Sequence, residues 1–158
     1  MISPVARTIL LWVHACAGAI WIAAAASFVI AALATAEEAD TSTIRRAGSA
    51  INRIGLFAMV AVVLTGIINT FVAGEMRNFA FSQSFVVVLA LKIVALAAMI
   101  VILNRCVRAH RIIAAEADAE ISGRNAIAKA RTQLIVGNSL VAAIGGLAMI
   151  LGLWLLGT

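Results

Sequence analysis

Hydrophobic and polar positions divide the chain into four long apolar runs, at residues 9–36, 54–73, 85–103 and 134–156, with short polar stretches between them. Each run reaches the roughly 20 residues a helix needs to cross a bilayer core of about 30 Å. The pattern predicts an all-α fold, an integral membrane four-helix bundle. Its spans fall at about residues 8–36, 52–74, 83–104 and 132–157, within a single domain over 1–158. The sequence "ALATA" before Glu37 has the small-residue look of a signal-peptidase site. The apolar run ahead of it is too long for a signal peptide, whose hydrophobic region is about 7–15 residues. Ser3-Pro4 reads as an N-cap followed by proline at the first helical position, so the run is the first transmembrane helix.

Polar stretches flanking the runs read as helix too. "NRCVRAHRIIAAEADAEISGRNAIAKA" is rich in helix formers, which predicts that spans three and four project beyond the membrane and break at Gly123. "AEEADTSTIRRAGSAINR" extends the first pair in the same way. On span four, Asn138, Ala142, Gly145, Met149 and Gly152 follow a 4-3-4-3 spacing and share one helical face. Small residues there let a neighbouring helix approach closely, within the chain or in a homodimer or larger membrane complex. On span two, Thr65 and Asn69 lie one turn apart beside Gly66, placed to hydrogen-bond across to another helix.

Composition agrees with this pattern. The chain is 64% hydrophobic and 12% charged, with a mean hydropathy of +1.10, whereas soluble domains carry roughly 25% charged residues. The charge distribution adds orientation. Arg45, Arg46 and Arg53 follow span one, and Arg105, Arg108, Arg111, Arg124, Lys129 and Arg131 follow span three. The opposite side carries Arg7 and Arg77 alone. The positive-inside rule makes loops 37–53 and 105–131 cytoplasmic, with both termini and the 74–84 loop on the outer, periplasmic side. The net charge of +5 is then a matter of topology and anionic lipid, with no nucleic acid among the expected partners. Cys16 and Cys106 fall near opposite ends of their spans, too far apart for a disulfide, and no CxxC or CxxCH occurs.

Lys92 stands inside "VVVLALKIVALAAMIVIL", where a central lysine costs at least ~2.5–3.5 kcal/mol. It lies ten residues past Ser82, about 15 Å along its helix. His14 lies seven residues past Arg7, about 10 Å along span one. The two share a level in the outer half of the membrane and mark a candidate site. Gly18 and Trp21 follow His14 at i+4 and i+7 on one face, giving room beside the imidazole and a wall for a cavity. Cys16 points almost the opposite way. Bis-histidine haem is excluded, because His110 lies beyond the inner end of span three. Two mixed pairs remain for haem: His14 with a neutral Lys92, an amine being an available ligand where water is excluded, or His14 with Met149. Copper is the other cofactor in play, with imidazole, Met149, Met76 and Cys16 as candidate donors.

Three stretches resemble the copper-resistance D (CopD) family: "LLWVHACAGAIW" in span one, "VLTGIIN" in span two, and "ALKIVALAAMIVILNR" in span three. They cover roughly residues 10–105. HemJ-type protoporphyrinogen oxidases are similar in the same places. The CopD resemblance implies copper handling at or across a bacterial inner membrane. The HemJ resemblance implies haem b held by His14 and Lys92, for electron transfer or porphyrinogen oxidation. Here Trp21 is followed by "IAAAA" in place of glycines, and span three reads "ILNRC" where HemJ-type proteins tend to have a further histidine. The first is a departure from the family pattern; the second favours the CopD side, as a minimal CopD-like bundle. Gly18, Trp21, Asn69 and Met149 are then expected around His14 and Lys92, with copper leading, haem b second, and a non-catalytic subunit of a membrane complex third.

Overall fold

The computed structural model describes residues 3–34, 41–117 and 124–156. They form α1 (Pro4–Ala34), α2 (Thr41–Met76), α3 (Gln83–Ala117) and α4 (Arg124–Leu156). All four helices are long and apolar enough to cross a membrane. The 36 residues of α2 reach about 54 Å, well past a bilayer core of about 30 Å. The helices therefore project beyond their apolar runs, as the flanking helix formers predict. Gly123, where a break was expected, lies outside the described residues.

The helix ends follow from local chemistry. The Ser3 hydroxyl accepts a hydrogen bond from the Ala6 amide at 3.2 Å, the N-cap expected of Ser3-Pro4. α2 ends in a Schellman closure, with the Phe79 amide donating to the Gly74 carbonyl at 2.8 Å and the Asn78 amide to Glu75 at 3.4 Å. Asn78 and Phe79 both adopt positive φ, 49° and 58°. The Phe79 ring lies over Gly74, where an added Cβ would stand 2.6 Å from it. At the other end, Arg131 of α4 donates to the Ala32 carbonyl at 2.6 Å. A cation thereby satisfies an orphan carbonyl at the negative end of the α1 dipole.

Neighbouring helices run antiparallel. α1 packs on α2 and on α4, and α3 on α4, whereas α2 and α3 barely meet. Close approach depends on small residues on α4. Gly145 faces α1, where an added Cβ would stand 2.9 Å from Ile22, and Gly137 lies under the Cys106 sulfur of α3. The face predicted on α4 thus serves two neighbours within the chain. Buried side chains form two layers, one around Trp21, Ala58, Met99 and Val141 at mid-bundle, the other around Phe28, Cys106, Ile113 and Leu134 nearer the ends carrying Ala34 and Arg124. Outward-facing side chains are large and apolar, such as Phe57, 77% exposed, and Ile150, 63% exposed. An apolar surface this continuous matches lipid tails as its solvent.

A side chain at Gly145 must displace Ile22. We expect Gly145→Val to destabilise the bundle by about 1–3 kcal/mol. Gly146→Ala, whose Cβ meets nothing within 4 Å, should change little. Reversible unfolding in mixed detergent micelles measures both.

Candidate functional site

His14 lies on the inward stripe of α1 that also carries Ala17, Trp21, Ala25 and Phe28. Its Nδ1 is 2.8 Å from Thr65 Oγ1 on α2. Thr65 bonds back onto its own helix, its hydroxyl lying 2.6 Å from the Ala61 carbonyl. A hydroxyl has one proton to give. With that proton on Ala61, Thr65 accepts from His14, which assigns the imidazole proton to Nδ1 and leaves the Nε2 lone pair free. Fixing one ring nitrogen through a helper group is how ligating histidines are oriented. Gly66 supplies the room, since an added Cβ would come within 3.2 Å of His14 Cε1. One turn along α1, Gly18 has nothing within 4 Å of an added Cβ, so open space adjoins the imidazole.

Lys92 approaches from α3. Its Nζ lies over Gly152 of α4, where an added Cβ would stand 2.6 Å away. Among the described residues, nothing hydrogen-bonds or ion-pairs with Lys92, and no apolar run contains a carboxylate. No direct hydrogen bond joins His14 and Lys92 among the described residues, and their nitrogen atoms sit on different helices, α1 and α3.

The other expected residues divide. Asn69, one turn past Thr65, has a buried Nδ2 without an acceptor; an unmade bond of this kind costs about 1–3 kcal/mol. Met149 shares the α4 face of Gly145 and Gly152 and is 39% exposed. Trp21 is buried in the mid-bundle layer and lines a separate cavity on the far side with His110 and Asn138. Spacing gave its face correctly; its layer is about 10 Å farther along the helix than His14. Cys16 is exposed on the outer face of α1 beside Trp12 and Ile20, and Met76 is 62% exposed. The soft donors named for copper are therefore not gathered around His14, and no cluster of three or more His, Cys, Asp or Glu occurs among the described residues. Thr65 as the partner of His14, and Gly152 as the seat of Lys92, were not assigned from sequence. The adjacent Thr65-Gly66 pair, at the level of His14, was the available signal.

Compared with known proteins, the chain matches no family model, no curated protein and no solved structure. What the described residues show is a four-helix bundle of membrane-spanning length, with His14 on α1 and Lys92 on α3.

The chain has two histidines, so ¹⁵N spectra of histidine-labelled protein resolve each ring. We expect His14 as the Nδ1–H tautomer, with Thr65→Ser preserving it and Thr65→Val shifting it toward a mixture. An Nε2–H signal in the unmodified protein would contradict the hydrogen-bond assignment.

Proposed function

We propose that this bundle is a b-type haem protein, in which His14 Nε2 and Lys92 Nζ would hold the iron of one haem. The observation that carries the reading is the donor set: two nitrogen atoms, on α1 and α3, one preset by Thr65 and the other without a partner among the described residues. A metalloporphyrin already supplies four equatorial nitrogens and needs two more donors. A protein-bound copper ion asks for soft thiolate or thioether donors; here Cys16 lies on the outer face of α1 and Met76 is 62% exposed. The residues fit the macrocycle better.

Haem would bring one-electron chemistry to a site the chain has shaped in advance. Thr65 holds the His14 ring so that it need not reorient on binding. Gly66 lets the imidazole seat closely against α2, and Gly18 has open space one turn along α1. Gly152 lets the Lys92 amine reach past α3 toward α4. Asn69 Nδ2 offers a donor one turn from Thr65. The slight packing of α2 on α3 leaves a lateral path from the bilayer for an apolar ligand. With the termini on the periplasmic side, as the arginine bias implies, the protein serves as a redox carrier in the outer half of a bacterial inner membrane.

The test is an absorption spectrum of detergent-purified protein, as isolated and after dithionite, with metal analysis of the same sample. We expect a Soret band, a reduced α-band of b type and about one iron per chain. Lys92→Met should elute as folded protein and lose low-spin ligation. A flat visible spectrum with near-stoichiometric copper that Cys106→Ser retains would replace this reading with the copper one. A sample holding neither would leave the role of a subunit in a larger complex.

A further inference from the structure

The far half of the bundle encloses a second polar site. A cavity of about 40 Å³ lies between the helices, lined among others by Phe28, Gly48, Asn52, Cys106, His110 and Asn138. That volume accepts one bare ion or a water or two, and no organic molecule. Cys106 and His110 are one turn apart on α3, so both side chains fall on one face. Cys106 is 4% exposed and its thiol is free. His110 Nδ1 is sealed from solvent and has no hydrogen-bond partner. Each donor is seated by a glycine of a neighbouring helix. The Cys106 sulfur rests on Gly137 of α4, and the His110 ring leans over Gly48 of α2, where an added Cβ would stand 3.1 Å from Cε1. Asn138, 8% exposed, commits its Nδ2 to the Leu134 carbonyl at 2.9 Å, which leaves Oδ1 for a ligand.

We propose that Cys106 and His110 bind a single soft monovalent cation, of the chemistry of Cu(I) or Ag(I). Thiolate and imidazole are the donors that soft ions prefer. Charge selects the valence. Uptake exchanges the thiol proton for the metal, Cys–SH + M⁺ → Cys–S–M + H⁺, and leaves a neutral unit with no change of oxidation state. A divalent ion on the same donors would leave a net positive charge in the cavity, and no carboxylate lines it. Zinc would also ask for four donors. The exposed Asn52 marks the mouth, between the loosely packed α2 and α3. The Trp21 layer separates this site from His14, so it stands or falls independently of haem binding.

The test uses the full chain carrying Cys16→Ser, in which Cys106 is the remaining thiol, titrated anaerobically with Cu(I) against a chromogenic chelator. We expect one Cu(I) per chain. X-ray absorption at the copper edge should show one sulfur and at least one imidazole nitrogen. His110→Gln should weaken binding by more than the roughly 10–100-fold typical of losing an outer partner. Met76→Leu should leave it unchanged. The proposal is overturned by uptake no greater than in the Cys16→Ser/Cys106→Ser chain, by equal affinity in His110→Gln, or by a copper shell without sulfur. The absorption spectrum is read on protein that retains Cys106, so a folding defect in the serine variant would not obscure the result.

Discussion

A lysine amine inside a membrane span, with no carboxylate in any apolar run to pair it, is the constraint on which the rest depends. Carried as a cation and left unpaired, Lys92 would cost several kcal/mol in hydrocarbon. The bundle relieves that cost by geometry. Gly152 removes the side chain that would block Nζ, and the same half of the bundle contains Thr65, Asn69 and His14. Among the described residues nothing pairs with the amine, and the proposed haem would give both it and His14 a partner.

Stability and site formation are divided along the helix axis. Mid-bundle and far layers carry the apolar packing, centred on Trp21, Val141, Ile113 and Leu134. α4 acts as the spine. Its glycines at 137, 145 and 152 bring α3, α1 and then α3 again to close range. Lipid provides little hydrophobic drive between helices, so such small-residue contacts hold the bundle together.

Depth along a helix is nearly one-dimensional, and that much was legible in the sequence. The four spans, the projecting helix ends, the Ser3-Pro4 start and the shared level of His14 and Lys92 all follow from counting residues against a rise of about 1.5 Å. Partners across helices were harder, because they depend on how each helix is rotated about its axis. Thr65 was recognised as a crossing hydrogen bonder, but its acceptor role toward His14 needs the α1–α2 rotation. Gly145 and Gly152 looked like one seam and serve two different neighbours. Trp21 shared a face with His14 and belongs to another layer. His110 was judged by its position outside the apolar run, yet α3 continues straight through it and brings its ring back inside the bundle.

The most direct test of the shared vestibule measures whether positions 14 and 92 face each other across the bundle. In a chain carrying Cys16→Ser and Cys106→Ala, His14→Cys is combined with Lys92→Cys or with Ile93→Cys, and each pair is treated with a short bis-maleimide in detergent. Ile93 is 58% exposed and points outward. Efficient intramolecular cross-linking from position 14 to 92, and little to 93, is the expected result. Equal yields at the two positions, or cross-linking to 93 alone, would show that His14 and Lys92 do not open onto one space.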